Sequence, residues 1–398
     1  MTLQSQTRPT NQKGIEGSSL LFFNLMTHGL TSRTTRLETS RRTRFHGKAP
    51  STTLALNKAK TERDLFMAES NPMKNQPTDT APDPLKAAWD EIQRLGLEPY
   101  VAELDVNGLT VIPPEIACPG DLKSRLLEAL LDTAEDEKGF RPDLETGKTL
   151  KNYKGRYASE ESGGDSPFGA LLQCMVLKGR VFEEALMNPV HLAMATYLCG
   201  YSTILSSMTC FMKGPNETCL DLHSDCFLPD PWPSHAMLSA STYLLTDFSR
   251  EDGCTAYVPG SHRLCRRPRP EEVSIGEGGN PNAVPVEGKA GSLMVWHGNT
   301  WHGAYNRTNK GVRVSLNMLL ARPHMRTEED LADRVPEEVL DRNSARFAIL
   351  THQGLFYGFT SGEDAGRRVE RASKYQMEYA EENGGLASVN PFFMHLHG

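Results

Sequence analysis

The chain has 398 residues, with 43 Lys and Arg against 50 Asp and Glu, for a formal charge of −7. A hydrophobic content of 38% and a mean hydropathy of −0.46 exclude a polytopic membrane protein, and the mild acidic excess gives no reason to expect a nucleic-acid partner. Eight Cys without a CxxC pair argue against a zinc ribbon or a disulfide framework; reduced thiols inside a cell are expected, in the cytoplasm by default.

Residues 1–60 hold ten Lys or Arg against Glu16 and Glu38, a charge of +8 that leaves −15 for the rest, and they hold seventeen Ser or Thr. Basic, hydroxyl-rich and acid-poor composition suits a mitochondrial type of targeting segment; a disordered tail, or an extension ahead of a later start at Met67 or Met73, is the alternative. The expected organisation is therefore a disordered extension and linker over 1–83 and a catalytic domain over 84–398. Leu85 to Leu95 has helical spacing, and Leu109 to Ile112 reads as a short strand closed by Pro113-Pro114. Asp121 heads an amphipathic helix through Leu131 with Leu122, Leu126, Leu127, Leu130 and Leu131 on one side.

Leu186 to Met212 carries no charged residue, a stretch long enough to span a membrane. Its Asn188-Pro189, Gly200 and Ser/Thr pairs predict instead a buried helix, Val190 to Leu198, stopped by Gly200 and followed by a core strand. Beyond residue 200, strands are predicted at Thr203–Lys213, Cys219–Phe227, Leu238–Thr246, Thr255–Val258, Val284–Val286, Ser292–Trp296 and Gly311–Leu320. Many short strands between Gly and Pro turns predict a mainly β fold of sandwich or jelly-roll type, with flanking helices. Helices are expected at Glu328–Val335 and Glu337–Leu350, while Leu355 to Gly398 is loop-rich and has no assignment.

The chemistry sits in the β-rich half. His223-Ser224-Asp225 lies in a strand-like run, where alternate residues share a face about 7 Å apart at their α-carbons. An imidazole and a carboxylate so placed need one more imidazole to form the 2-His-1-carboxylate site of non-haem Fe(II) oxygenases. Downstream come Gly291-Ser292 through His297, then His302-Gly303, and Arg313 eleven residues after His302. On a neighbouring strand of the same sheet, Arg313 would make a bidentate pair with a dicarboxylate whose other end chelates the metal. A third element is Asp252-Gly253 followed by Val258-Pro259-Gly260-Ser261-His262-Arg263.

Taken together, these motifs resemble the phytanoyl-CoA dioxygenase family of Fe(II)/2-oxoglutarate oxygenases, with weaker similarity at Asn107-Gly108 and Asn188-Pro189. The resemblance covers about residues 100–350. It implies a double-stranded β-helix core of jelly-roll, cupin-like form. It further implies Fe(II) on His223, Asp225 and His302, and 2-oxoglutarate on Arg313. Family members often place a Ser two residues after the distal His, where this chain has Ala304; Thr209 on an earlier strand is the candidate replacement. Related halogenating enzymes lack the carboxylate ligand, so Asp225 favours hydroxylation or desaturation. O2 and a small-molecule substrate are the expected partners, succinate and CO2 the expected products, and ascorbate an aid to activity.

Other readings stand beside this one. His/His/Asp also binds zinc for hydrolysis, and a jelly roll can serve as a non-catalytic binding or scaffold module. His297 reads as a neighbour of the metal site and His262 as part of a structural corner. Trp232 and Trp301 are pocket wall or plain core. The basic loop Arg263 to Arg269 is a solvated segment balanced by Glu271-Glu272, with an anionic substrate as the alternative.

Overall fold

The computed structural model of the chain describes residues 83–155 and 165–386. The expected extension, up to Pro82, lies outside the described residues. Asp83 accepts hydrogen bonds from the amides of Leu85 and Lys86 and so caps α1 (Pro84–Arg94). Helix α2 (Glu98–Asn107) ends at Gly108 with φ +82°, and β1 (Leu109–Ile112), α3 (Pro114–Ala117) and α4 (Leu122–Lys138) follow. Asp121 precedes α4 as expected, but its side chain pairs with Arg125 at 2.9 Å instead of capping the helix.

After β2 (Ala170–Leu172) come α5 (Arg180–Leu186) and α6 (Pro189–Cys199). The Asn188 side chain accepts from the Val190 amide, and Gly200 closes α6. Apolar on nearly every side, α6 is buried, as the uncharged window predicts. No helix among the described residues is long and apolar enough to cross a membrane.

The remaining strands are β3 (Ile204–Lys213), β4 (Leu220–His223), β5 (Leu238–Leu244), β6 (Thr255–Tyr257), β7 (Val284–Pro285), β8 (Leu293–His297), β9 (His302–Ala304) and β10 (Arg313–Ala321). They form a six-stranded sheet in the order β1-β8-β5-β10-β3-β2 and a four-stranded sheet in the order β4-β9-β6-β7. Every pair is antiparallel, which is the expected mainly β jelly-roll arrangement with helices flanking one sheet.

Alternation along β10 explains the layers. Val314, Leu316, Met318 and Leu320 face the helices and join one apolar core with Leu126, Leu130, Phe182 and Met194. Leu319 faces the interior between the sheets and packs in a second core with Leu222, Met294 and Trp296. Strand β3 keeps the same alternation from Met212 to Met208, until a register shift opposite Leu319 and Leu320 leaves Ser206 as an extra residue.

Three expectations fail in the last third. Glu328–Val335 is not helical, because tertiary partners take its polar groups. Glu329 donates its amide to the Ser206 carbonyl and accepts from the Cys174 and Met208 amides, while the Leu331 amide goes to His352 Nδ1. Glu337–Leu350 is two helices, α7 (Glu337–Asp341) and α8 (Ala345–Leu350), broken where Arg342 and Asn343 bind the buried Glu183 carboxylate. Residues 362–382, left unassigned by the sequence, form the 21-residue α9 (Gly362–Glu382), capped by Ser361.

Candidate active site

Strands β4 and β9 pair so that His223 lies opposite His302. Gly303 permits this approach: a Cβ there would stand 2.3 Å from the Leu220 carbonyl oxygen. The chain leaves the ladder after His223, so Asp225 sits beyond the strand and not, as expected, on its face. The carboxylate still reaches the imidazoles. Asp225 Oδ1 is 3.7 Å from His302 Nε2 and 4.0 Å from His223 Nε2, and the three donor atoms lie within 4.8 Å of one another. They are too far apart for hydrogen bonds and close enough to converge on one ion.

The second nitrogen of each ring settles the tautomer. His223 Nδ1 is 2.9 Å from the Asp221 carbonyl oxygen and His302 Nδ1 is 3.1 Å from that of Thr300. A carbonyl only accepts, so each Nδ1 carries the proton and each Nε2 offers its lone pair to the shared point. His223 exposes 40% of its side chain, as a lining residue of the cavity. Desolvation on its remaining sides, together with His302, lowers its pKa to about 4, so the ring is neutral at neutral pH. Trp296 Nε1 donates to Asp225 Oδ2 at 3.1 Å, and its ring lies 5.1 Å from that of His302. That indole occupies the outer carboxylate oxygen and leaves Oδ1 directed at the imidazoles.

Arg313 opens β10 in the six-stranded sheet, whereas His302 belongs to the four-stranded one. The expectation of one shared sheet is therefore corrected: the two face each other across the interior. Both line one cavity of about 170 Å³, several times what a single water needs. Arg313 is 5% exposed and has no ion-pair partner among the described residues. It donates to the Gly253 carbonyl and lies 5.1 Å from the Phe248 ring, while its buried Nε has no hydrogen-bond partner. Burial pushes its pKa down to about 10, still cationic at neutral pH. A buried guanidinium with a vacant donor and no counter-ion fits an anionic ligand.

Directly opposite in the register stands Lys213, fully buried, with Nζ 2.6 Å from the Tyr305 carbonyl oxygen. Burial first, and Arg313 second, hold its pKa well below the usual lysine range. Sequence reasoning passed over Lys213, and also Trp296, one residue before the His that it considered. The pleat carries the signal for Trp296, since alternation puts it on the same face as Met294, toward the cavity.

The other candidates divide. Thr209 is buried on the cavity side of β3, opposite Asn317, but Asn317 and Thr242 line the cavity in its place, joined by a 2.7 Å hydrogen bond. His297 turns away: its Nδ1 accepts from the Asn299 amide, and its ring lies 5.4 Å from that of His262. His262 packs the corner against Gly108, where a Cβ would stand 2.4 Å from its Nδ1. Trp232 and Trp301 are core residues that donate to the Leu228 and Arg266 carbonyls, and neither lines the cavity. Arg266 is held by Glu272 at 2.7 Å and packs 4.6 Å over Trp301, so this arginine belongs to the loop's own structure.

Residues 170–315 match the sequence model of the family described as phytanoyl-CoA dioxygenase (PhyH). Over 205 residues the chain is 28% identical to "Dioxygenase af480" of Aspergillus fumigatus, covering 48% of this chain and 64% of that protein. It is 23% identical over 235 residues to "Dioxygenase aneA" of Aspergillus aculeatus, covering 56% and 73%. The chain thus spans under two thirds of the first of these relatives. Among solved structures, HygX from Streptomyces hygroscopicus, with nickel and 2-oxoglutarate bound, aligns with a TM-score of 0.45 at 16% identity, over 60% of this chain and 92% of that one. The epimerase SnoN, in complex with Fe3+, alpha ketoglutarate and nogalamycin RO, aligns at 0.44 and 20%, over 61% and 93%. The stretch that matches the family model, a little over a third of the chain, holds His223, Asp225, His302 and Arg313.

Proposed function

We propose that the chain is an Fe(II)- and 2-oxoglutarate-dependent oxygenase acting on a small molecule. The overall reaction takes substrate, 2-oxoglutarate and O2 to hydroxylated substrate, succinate and CO2. The observation that carries this reading is one cavity with three convergent neutral-His and carboxylate donors on one side and an unpaired buried guanidinium on the other. His223, Asp225 and His302 would hold the metal. Fe(II) supplies, when bound, the redox chemistry that couples decarboxylation of 2-oxoglutarate to oxidation of the substrate.

The chain's own residues bind and orient. Arg313 takes the distal carboxylate of the co-substrate. Asn317 and Thr242 stand between Arg313 and the donors with polar groups. Trp296 fixes the direction of the Asp225 carboxylate and, with Met294, Phe248 and Leu319, walls the site against water. A zinc hydrolase on the same donors would leave Arg313 without a role.

The test is succinate release from 2-oxoglutarate by protein reconstituted anaerobically with Fe(II) and then given O2. Succinate that needs Fe(II), fails with Zn(II) and vanishes in His223→Ala supports the oxygenase. No succinate, together with no visible charge-transfer band on adding 2-oxoglutarate to the Fe(II) protein, would reject it.

A further inference from the structure

The cavity is lined along one side by β10. Strand β10 presents Arg313, Ser315, Asn317 and Leu319 to it from alternate positions, a path of about 20 Å along the strand. Glu328 lines the other end. The extra residue in β3 puts it there. Ser206, unpaired in the ladder, accepts the Glu328 amide on its hydroxyl at 3.1 Å and the Glu329 amide on its carbonyl at 2.9 Å. Ser207 Oγ then donates to Glu328 Oε2 at 2.6 Å, which orients the carboxylate.

Charge balance gives that carboxylate its meaning. The charged residues lining the cavity are Asp225, Arg313 and Glu328, beside the two His. On the oxygenase reading, Fe(II) and the 2-oxoglutarate dianion cancel, and Arg313 cancels Asp225. Glu328, exposed at the cavity's rim, is then the charge left facing the substrate, with no lining cation to meet it. The wall near β3 is apolar and aromatic: Pro167, and Phe168 stacked on Phe211 with ring centroids 5.7 Å apart and planes 25° from parallel.

We propose that Glu328 anchors a cationic group of the substrate, so that the substrate class is a small apolar molecule bearing an amine or guanidine. This rests on the oxygenase reading for the place of the co-substrate. Carboxylate–ammonium pairing at the exposed Glu328 supplies a modest part of the affinity, and the aromatic wall receives the hydrocarbon.

Three matched probes test it on the full chain loaded anaerobically with Fe(II) and 2-oxoglutarate: cyclohexylmethylammonium, cyclohexylmethanol and cyclohexanecarboxylate. Binding is read by calorimetry and by perturbation of the charge-transfer band. The ammonium is expected to bind up to about fivefold tighter than either other probe, as an exposed ion pair allows. Glu328→Gln should remove that preference while affinity for the alcohol changes less than about twofold, and Ser207→Ala should weaken it in the same direction. Equal binding of the three probes, a preference for the carboxylate, no ammonium binding, or an ammonium preference that survives Glu328→Gln would each overturn the proposal. If the charge-transfer band never forms, the oxygenase reading falls separately, and calorimetry with the ammonium still decides the role of Glu328.

Discussion

The six-stranded sheet is made of strands up to ten residues long in extended registers, whereas the four-stranded sheet is made of strands of two to four residues. The large sheet has an apolar core on each face, one against the helices and one against the other sheet. The small sheet has exposed residues at its β7 edge, and its β4–β9 ladder is irregular between Leu220 and His223. Yet the small sheet and the segment after β4 carry His223, Asp225 and His302. Irregularity is useful there: backbone carbonyls outside a continuous ladder, at Asp221 and Thr300, are free to orient the imidazoles. The large sheet holds what must be rigid and long, the graded lining from Arg313 to Leu319. Side-chain hydrogen bonds to backbone and indole, such as Ser224 Oγ to the Gly298 carbonyl at 2.8 Å, then tie the small sheet to the frame.

This division can be broken from either side. Asp225→Ala should lower Fe(II)-dependent succinate release more than about 100-fold, beyond what loss of a ligand-supporting group costs, with a melting temperature close to that of the parent. A large fall in melting temperature would show that the triad also bears structural weight. Leu316→Ala, in the buried alternation of β10, should lower stability by about 2–5 kcal/mol in urea unfolding, with Fe(II) stoichiometry unchanged in the folded fraction. Arg313→Ala should chiefly raise the 2-oxoglutarate requirement, by about tenfold or more; an unchanged requirement would remove Arg313 from its role. Trp296→Phe keeps an aromatic ring but deletes the donor to Asp225, and should weaken Fe(II) binding about 10- to 100-fold in a metal titration.

The smallest effect concerns His191 on α6, buried with both ring nitrogens unpartnered among the described residues. Burial, with Arg346 nearby, lowers its pKa to about 3 from an ordinary 6.5. Its neutral form contributes fully above pH 6.5. As pH falls toward 3 the unfolded chain takes up the proton first and stability drops, by at most about 1.4 kcal/mol per pH unit. His191→Leu should therefore lose about 2 kcal/mol less than the parent between pH 7 and pH 5, as read by urea unfolding at the two pH values.

What the sequence made legible follows the same split. The large sheet declares itself by alternation, since Arg313-Val314-Ser315-Leu316-Asn317-Met318 already sorts cavity from core. His223, Asp225 and His302 were legible through residue type and order. The way they are held was not, because Asp225 leaves its strand and Arg313 belongs to the opposite sheet. Glu328 was read as part of a helix, since its tertiary partners Ser206 and Ser207 lie 122 and 121 residues away. Helix α9 escaped notice because Gly362 and Gly366 weaken its start and its buried stripe is thin, with Ala372 and Tyr379 the buried members.

The indole of Trp296 has a wider consequence. A carboxylate free to swing can offer two oxygens to an ion, and each oxygen so used closes a place that an oxygenase needs for its reagents. On the oxygenase reading, Trp296, by engaging Oδ2, would favour a one-toothed over a two-toothed Asp225. A hydrogen-bond donor that need touch neither metal nor substrate would in this way set how many guests the centre can admit at once.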